Sequence, residues 1–304
     1  MKHFRTVFIT TLLFIIAFAW APPRSEDTVH GKHDRQRPNY TDGRALCILA
    51  NKDITESSGL ACGRRNPGVL WTHNDSGDSP RIFAFNLTCE DMGTYTIQGA
   101  EAIDWEDMAS YDAGGKSYLL VADVGNNLRE RKVSHIYVLE EPSPNGHEKS
   151  VLETIQVLRT ISFKFEDGPH NCEAVAIDPG SEAIYLVSYN RGFECGLYEL
   201  KMLKEIPNEI MEAKKVANLH LPTATAMDIS PDGMRAVILT YDHAYEYTRQ
   251  PDETWERAFS RKPRCIIMPP RIQGESICYG PDGKTLYLTS EKLPTPLWEV
   301  PPHE

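Results

Sequence analysis

Three glutamates occur in similar sequence contexts, and they are the strongest candidates for functional residues in this chain. Glu106, Glu173 and Glu275 each stand at the head of a short apolar stretch, in WEDMA, CEAVA and GESIC. Several carboxylates that converge on one place either bind a cation or retain protons, because close negative charges raise each other's pKa. Ligand sets made only of oxygen select a hard cation, and Ca²⁺ tolerates irregular geometry best.

The glutamates mark an internal repeat. The zero positions of its five copies are Ser58, Glu106, Glu173, Thr225 and Glu275, which are 48, 67, 52 and 50 residues apart. In every copy position 2 is apolar, position 3 is small or short, and positions 12 and 13 are apolar. Pro/Asp/Gly turn residues separate the two apolar stretches in three copies. Five copies without gaps indicate a repeat architecture.

Each copy predicts a four-stranded antiparallel unit. Two apolar strands around a turn form a hairpin, and a third strand follows. Fourth strands are predicted at 94–98, 158–165, 216–221 and 264–268. The fifth copy lacks one, and the N-terminal segment 45–50 would complete it. This predicts an all-β fold, a single β-propeller of four-stranded blades closed by the N-terminal strand, with five blades, or six if a degenerate blade lies between 124 and 172. A short helix is predicted at 201–214.

The hairpin geometry predicts the partners of the zero positions. With the turn centred near position 8 or 9, position 0 faces position 17, with the two Cβ atoms about 4.5–5.5 Å apart. The predicted pairs are Ser58 with Asp75, Glu106 with Asp123, Glu173 with Asn190, Thr225 with Asp242 and Glu275 with Lys292. Because the first strand of each blade lines the central channel of a propeller, the zero positions should ring one mouth of that channel.

This ring predicts a metal site and a catalytic group. The predicted Ca²⁺ ligands are Glu106, Asp123, Glu173, Asn190, Asp242 and Glu275. The predicted catalytic residues are His73, Asp75 and Glu106, with His73 as general base because an unperturbed imidazole has a pKa of about 6.5. The alternative is a solvated acidic rim in which Lys292 neutralises Glu275.

The net charge of the chain and the motifs that it lacks argue against several classes of function. The formal net charge of −11 argues against nucleic acid or an anionic membrane as partner, since both require a basic face. The sequence has no GxSxG elbow, HExxH pair, P-loop or dinucleotide fingerprint. A small-molecule ligand or substrate at the channel mouth is the partner that we predict.

The first 43 residues are predicted to precede the folded domain. Residues 1–19 combine basic residues, an apolar run and a small-x-small cleavage pattern, which is typical of a secretory signal peptide. Residues 20–43 are polar and predict a flexible leader, and residues 44–304 form the predicted β-propeller domain. The mature protein would be secreted or periplasmic, with no membrane attachment after cleavage; an uncleaved anchor is the alternative.

Seven cysteines fit an oxidising compartment, and their odd number leaves at least one unpaired. On the predicted strand map Cys172 lies near Cys195 at the acidic mouth. Cys62 lies near Cys89 at the opposite end of the first blade. These are the two pairings that we predict.

Several motifs resemble a family of secreted bacterial β-propeller proteins. They are WTHNDSGD (71–78), DWEDMA (104–109), ADVGNN (122–127), NCEAVAID (171–178) and QGESICYGPDGKTLYLTSE (273–291). The PDG hairpins are similar to TolB-like repeats, and the Glu-apolar blade starts resemble the phytase-like and esterase-like propeller group. The resemblance covers about residues 55–300 and implies Ca²⁺-dependent hydrolysis of phosphate esters or lactones at the channel mouth. Ser58 and Thr225 depart from a full carboxylate ring.

We therefore expect a secreted β-propeller with an acidic, Ca²⁺-binding mouth that acts as a metal-dependent hydrolase of small phosphate esters or lactones. The alternative is a non-catalytic propeller scaffold that binds a ligand or a protein. A third reading is a cation that only rigidifies the fold.

Overall fold

The computed structural model describes residues 40–144, 152–202 and 209–303, and across these ranges the fold is all-β with one five-residue helix. This confirms the all-β part of the predicted fold class. The predicted signal peptide and most of the predicted leader lie outside the described residues. In the part of the chain that is described, no helix is long and apolar enough to span a membrane.

The strands fall into consecutive antiparallel groups that follow the sequence repeat. Strand β1 spans Arg44–Ile48. The first group contains β2 (Ser57–Cys62), β3 (Val69–Asn74), β4 (Arg81–Asn86) and β5 (Asp91–Gln98). Next come β6 (Trp105–Ala113), β7 (Lys116–Asp123), β8 (Ser134–Glu140), β9 (Leu152–Gln156) and β10 (Arg159–Phe165).

The second half of the chain repeats this arrangement. The third group contains β11 (Cys172–Ile177), β12 (Ala183–Ser188), β13 (Cys195–Lys201) and β14 (Met211–Leu219). The fourth contains β15 (Ala224–Ile229), β16 (Arg235–Thr240), β17 (His243–Thr248), the helix α1 (Trp255–Phe259) and β18 (Arg264–Ile267). The last contains β19 (Ser276–Tyr279), β20 (Leu286–Thr289) and β21 (Pro296–Val300).

Hydrogen bonding joins these groups into several sheets. Strand β9 pairs in parallel with β5 and so extends the first group. Strands β6, β7, β8 and β10 form the second group, and β10 pairs in parallel with β14 to make an eight-stranded sheet with the third group. The N-terminal β1 pairs antiparallel with β21, so that the last sheet has the order β1-β21-β20-β19.

The first strands of the groups pack against one another in a propeller-like arrangement. Strand β2 contacts β6, β6 contacts β11, β11 contacts β15, β15 contacts β19, and β19 contacts β2. Hydrogen bonds support two of these contacts: Ser58 Oγ donates to the Glu106 carbonyl at 2.6 Å, and the Gly59 N–H donates to the Glu275 carbonyl at 3.4 Å. The zero positions therefore lie on neighbouring inner strands.

Two buried aspartates connect inner strands of different groups. Asp107 Oδ2 accepts hydrogen bonds from the Val175 N–H at 2.8 Å and the Met227 N–H at 3.0 Å. Asp228 Oδ2 accepts one from the Tyr279 N–H at 2.8 Å. Because inner strands of different groups are not paired by a backbone ladder, these carboxylates satisfy amides that would otherwise be buried without partners.

Apolar side chains fill the spaces between consecutive groups. Trp71 and Tyr95 from the first group pack in one cluster with Trp105 from the second. Strands β2, β3, β12 and β15 are buried along their whole length. Strands covered on both faces have near-continuous apolar sequences, which explains the short apolar runs of the repeat.

The prediction of a helix at 201–214 is wrong for the residues of that range that the structure describes. Strand β13 ends at Lys201 and β14 begins at Met211, while residues 203–208 lie outside the described ranges. Pairing with β13 decides the conformation of 211–214, since tertiary context overrides weak helix propensity. Helix α1 instead begins after Thr254, whose Oγ1 accepts a hydrogen bond from the Arg257 N–H, and it buries Trp255 and Phe259.

The start of the folded region also differs from the predicted boundary at residue 44. Thr41 donates its N–H to the Pro301 carbonyl at 3.0 Å, and the Tyr40 hydroxyl donates to Glu246 Oε1 at 2.7 Å. Residues 40–43 of the predicted leader are therefore held against the C-terminal end of the domain.

A disulfide bond joins Cys47 in β1 to Cys89 in the turn before β5, with Cα atoms 6.0 Å apart. The pairings predicted from sequence are wrong, because Cys62, Cys172 and Cys195 are free. The Ala50 N–H donates to the Cys89 carbonyl at 2.9 Å, which shows that the closing strand carries Cys47 to this turn. Cys47 and Cys89 therefore come together because β1 pairs with the last strand, and not because of their spacing in the sequence.

Removal of this disulfide should destabilise the protein. It closes a segment of 42 residues, and restriction of the unfolded chain by a loop of this size is worth about 2–4 kcal/mol. We expect Cys47→Ala/Cys89→Ala to lose about that much free energy of unfolding in guanidinium titrations. Cys265→Ala, which removes an exposed free cysteine, is the control. Equal stability of both variants and the parent would contradict the prediction.

Candidate metal centre

Six carboxylates gather where the inner strands begin. The carboxylate oxygens of Asp75, Asp104 and Glu106 lie within 4.8 Å of one another, and so do those of Asp75, Glu275 and Glu291. Asp75 belongs to both sets and therefore joins them. The sixth, Glu173, interacts electrostatically with Glu106, Glu275, Asp75 and Asp104. We call these six residues the carboxylate cluster.

The strand order explains why the cluster forms at one end of the sheets. Asp104 precedes β6, Glu106 and Glu173 are second residues of β6 and β11, and Glu275 precedes β19. Asp75 and Glu291 follow the second strands β3 and β20. In an antiparallel hairpin the start of the first strand lies beside the end of the second, so all six positions meet at the same edge.

β-Bulges fall at two of the three glutamates, Glu106 and Glu173. Trp105 lies opposite Asp123 and Asp107 lies opposite Ala122, which leaves Glu106 unpaired in the bulge. The same irregularity falls at Glu173 in β11 and at Thr225 in β15. A bulge places two residues opposite one and re-aims a side chain, and bulges are common beside functional sites.

The bulges also overturn the predicted cross-strand pairs. Ser58 lies opposite His73 and not Asp75, and Cys172 lies opposite Ser188, so that Asn190 falls beyond the end of β12. Thr240 likewise ends β16 before Asp242, opposite Ala224. In the third to fifth groups the hairpin turn is centred closer to the zero position than predicted. Where a bulge occurs, it also adds one residue to the first strand. Both effects shift which residues lie opposite each other.

The structure separates the six predicted metal ligands into two sets. Glu106, Glu173 and Glu275 belong to the carboxylate cluster. Asp123 lies behind it, buried, where its Oδ1 is paired with Arg131 Nη1 at 2.8 Å and accepts the Asp104 N–H at 3.1 Å. Asp123 therefore positions the Asp104 backbone and belongs to neither of the two carboxylate sets.

The other two predicted ligands lie outside the cluster. Asn190 lines a neighbouring pocket. Asp242 is exposed and interacts electrostatically with Arg271. Lys292 donates its backbone N–H to the Thr55 carbonyl at 2.8 Å, and within the described ranges no ion pair joins it to Glu275. The rim neutralised by Lys292, which we considered as an alternative, is thus not what the structure shows.

Of the predicted catalytic residues, Asp75 and Glu106 are in the cluster and His73 is not. His73 is fully buried, packs edge-on against Trp105 with ring centroids 5.5 Å apart, and has Nδ1 at 2.9 Å from the Asn74 carbonyl. Burial lowers the pKa of His73 to about 4, so the imidazole is neutral at pH 7. Its ring lies under Gly59, whose added Cβ would come within 2.6 Å of Nε2.

Burial and mutual repulsion make the cluster hold protons. Burial, followed by the charge of Glu275, raises the pKa of Glu173 to about 9. Burial, followed by contact with Glu275, raises the pKa of Glu291 to about 9 as well. The pKa of Glu106 is raised well above its usual value by burial and by Glu173, and burial raises the pKa of Asp75 to about 6.

Polar neighbours orient these carboxylates without neutralising them. Gln273 Nε2 and the Tyr241 hydroxyl donate to Glu275 Oε1 at 2.8 and 3.2 Å, and Asn171 Nδ2 donates to Glu173 Oε1 at 2.9 Å. Among the residues that the structure describes, no lysine or arginine forms an ion pair with a member of the cluster. The site therefore retains protons or requires a cation.

Gly125 allows the backbone to pass close to the cluster. A Cβ at this position would come within 2.2 Å of Glu106 Oε1 and 2.4 Å of Asp104 Oδ2. Such overlap excludes a side chain here without displacement of both carboxylates. This explains the glycine in the motif ADVGNN.

Sequence reasoning missed Asp104 and Glu291. Both stand in quoted motifs, DWEDMA and the end of QGESICYGPDGKTLYLTSE, beside residues that we did predict. A search for every carboxylate within two residues of a strand end at the mouth would have found them.

Comparisons with known proteins leave the family open. No protein-family model matches the chain, and no curated protein matches it. A solved structure that it resembles is titled "Crystal Structure of Mitotic Checkpoint Complex", with 11% identity, a TM-score of 0.39 and coverage of 79% of this chain. The match covers 62% of the other chain, so this chain spans less than two thirds of its length.

Proposed function

We propose that this protein is a secreted five-bladed β-propeller whose channel mouth binds Ca²⁺ and hydrolyses a small phosphate ester or lactone. The observation that carries the proposal is the carboxylate cluster, in which six acidic side chains share one mouth and form no described ion pair with a lysine or arginine. The propeller of TolB-like repeats related to phytase-like and esterase-like proteins is part of this proposal.

The packing of the sheets supports the blade count. Five antiparallel groups of four strands follow the five copies of the repeat, with β1 as the fourth strand of the last group. The parallel contacts of β9 with β5 and of β10 with β14 lie at the outer edges of groups. Between 124 and 172 the described residues form three strands, β8, β9 and β10, and these pair with the first, second and third groups, which supports five blades over six.

The donor set supports Ca²⁺ over other cations. All candidate ligands are carboxylate oxygens, and soft metals prefer thiolate or imidazole. Mg²⁺ requires near-ideal octahedral geometry, whereas Ca²⁺ accepts six to eight oxygens in flexible arrangements. Six carboxylates, five of them spread over two neighbouring sets, are suited to such an irregular site, and not all of them need to bind the ion.

The residues of the mouth suggest a division of roles. Glu106, Glu173 and Glu275 would hold the cation, which when bound supplies Lewis-acid polarisation of a substrate oxygen. Asp75 is half-buried and burial raises its pKa to about 6, which suits a group that accepts a proton near neutral pH. Asp75 is therefore our candidate general base. The base role predicted for His73 would need its ring to leave the core.

Secretion is supported by two features. The sequence of residues 1–19 is typical of a signal peptide, and the Cys47–Cys89 disulfide is expected in an oxidising compartment.

A binding scaffold without catalysis is the second candidate, and one observation favours it. Leu128, Phe193 and Ile272 are 80%, 79% and 74% exposed. All three lie in loops at the end of the sheets where the cluster forms. Exposed apolar side chains around a polar centre are a common feature of binding surfaces.

Calcium titration of the purified mature protein tests the proposal. In Glu106→Gln/Glu173→Gln the site loses two charged ligands, and we expect the calcium affinity measured by calorimetry to fall about 100-fold or more. Glu209→Gln/Glu256→Gln, which removes two exposed carboxylates elsewhere, should bind calcium as the parent does. Turnover on a panel of phosphate esters and lactones should disappear on chelation.

The outcomes separate the candidates. Unchanged calcium affinity in Glu106→Gln/Glu173→Gln would refute the metal centre. Calcium binding with saturable ligand binding and no turnover on any member of the panel would favour the scaffold.

A further inference from the structure

A polar pocket adjoins the carboxylate cluster and is lined by hydrogen-bond donors. It has a volume of about 420 Å³. Its lining residues are Asn127, Arg129, Asn171, Tyr189, Asn190 and Arg191. None of them is acidic, although the cluster next to the pocket contains six carboxylates. The local charge of the pocket is therefore opposite to that of the mouth.

The hydrogen bonds among the lining residues engage side-chain oxygens as acceptors. Asn127 Oδ1 accepts from Asn171 Nδ2 at 3.3 Å, and Asn190 Oδ1 accepts from the Gly192 N–H at 3.3 Å. With their oxygens engaged in this way, the amide NH₂ groups of both side chains remain to donate. Arg129 and Arg191 form no ion pair with any residue in the described ranges, so both guanidinium groups can bind a ligand.

The loop that carries Arg129 is held in one conformation. Asn126 Oδ1 accepts the N–H groups of Glu130 and Arg131 at 2.9 and 3.0 Å, and Asn126 Nδ2 donates to the Arg131 carbonyl at 2.9 Å. Arg129 itself has φ of 56°, a backbone region that non-glycine residues rarely adopt and that recurs at ligand sites. The backbone that carries this arginine is thus held in place before a ligand binds.

Two hydrogen-bonded connections link the pocket to the cluster. Asn171, in the pocket wall, donates to Glu173 Oε1 at 2.9 Å. Tyr189, in the opposite part of the lining, hydrogen bonds with the Tyr241 side chain, whose hydroxyl donates to Glu275 Oε1 at 3.2 Å. A ligand in the pocket would therefore lie next to two carboxylates of the candidate metal centre.

We propose that this pocket binds the phosphoryl group of the substrate through Arg129, Arg191, Asn127 and Asn190. Guanidinium groups offer pairs of parallel N–H donors that match the oxygens of a phosphoryl group. A lactone has no charge for two arginines to bind, so the pocket selects the phosphate ester from the two substrate classes considered above. This inference rests on the proposed function for the role of the neighbouring cation, but the binding of phosphate to the pocket does not need the cation.

Binding of inorganic phosphate to the calcium-free protein tests the pocket directly. We expect saturable binding by calorimetry at pH 7, weakened about 100-fold in Arg129→Gln/Arg191→Gln, since each charge-assisted contact is worth about tenfold. Glutamine leaves the backbone at position 129 as strained as arginine does. Arg44→Gln/Arg257→Gln, which changes the net charge equally at exposed positions elsewhere, should bind phosphate within about twofold of the parent.

Further measurements test which anion the pocket prefers and control for a variant that does not fold. Acetate should bind much more weakly than phosphate, and a phosphate monoester should compete with inorganic phosphate. If Arg129→Gln/Arg191→Gln does not give the parent's thermal melt, Arg191→Gln alone should still weaken phosphate binding about tenfold. Equal phosphate affinity in parent and pocket variants, equal loss in the control variant, or acetate binding as tight as phosphate would each overturn the proposal.

Calcium titrations separate this inference from the proposed function. Calcium affinity should be retained in Arg129→Gln/Arg191→Gln, because neither arginine is a ligand. If the parent binds phosphate through these arginines but binds no calcium, the metal centre fails and the phosphate pocket stands. If the parent binds calcium and its phosphate affinity does not depend on the arginines, the pocket fails and the metal centre stands.

Discussion

Replacement of Asp107 by alanine should lower the free energy of unfolding by about 3–5 kcal/mol. This carboxylate is fully buried and accepts three backbone N–H groups, from Met108, Val175 and Met227. The last two belong to different groups of strands. Alanine would leave both amides buried without a partner, and each unsatisfied donor costs about 1–3 kcal/mol.

Chemical denaturation of matched variants measures this effect. Asp112→Ala, at the exposed end of the same strand, should change stability by less than about 0.5 kcal/mol. Asp107→Asn should also be destabilised, because an amide keeps one oxygen acceptor but turns an NH₂ group toward backbone donors. A loss below about 1 kcal/mol for Asp107→Ala would show that the inner strands do not depend on this residue.

Calcium-free protein should become less stable as the pH rises from about 5.5 to 8.5, opposite to the usual trend for carboxylates. Burial raises the pKa of Glu173 and of Glu291 to about 9 from a usual value of 4.5. A group whose pKa is higher in the folded state binds more protons there, so its contribution to stability is complete below the unfolded pKa. That contribution is lost as the pH rises toward the folded pKa.

Calcium should reverse the sign of this dependence. The cation binds ionised carboxylates, so its affinity rises with pH over the same window and stabilises the folded state by mass action. Carboxylates with lowered pKa, such as Glu253 with a pKa of about 2, lose their contribution only below this window and do not interfere. The pH range in which the calcium-free protein loses stability therefore lies between the usual and the raised pKa values of the cluster.

Differential scanning calorimetry at pH 5.5, 7 and 8.5, with chelator and with calcium, checks the prediction. We expect the Tm with chelator to fall by at least about 5 °C across the window, since 1 kcal/mol corresponds to roughly 2–4 °C in a domain of this size. Glu173→Gln/Glu291→Gln removes two titrating groups and should flatten the dependence. A Tm that rises with pH in chelator would disprove the assignment of raised pKa values to the cluster.

The strand pattern and the end of the sheets where the acidic residues meet were predictable from the sequence. Apolar runs such as 183–188 and 235–240 form strands whatever their partners, because their burial on both faces requires only local composition and length. The repeat then places Glu106, Glu173 and Glu275 at equivalent strand starts. Equivalent positions in repeated units share an environment, so their proximity followed from the alignment of the copies.

The partners of these glutamates were decided by tertiary structure alone. One extra residue in a bulge exchanges the faces of a strand, and so Asp123 lies behind Asp104 where the sequence map placed it opposite Glu106. Burial of His73 depends on Trp105 from another strand group, and the Cys47–Cys89 bond depends on the return of β1 to the last sheet. Sequence determines what each segment buries, whereas side-chain partners depend on shifts of one residue and on contacts between distant segments, which only the folded chain defines.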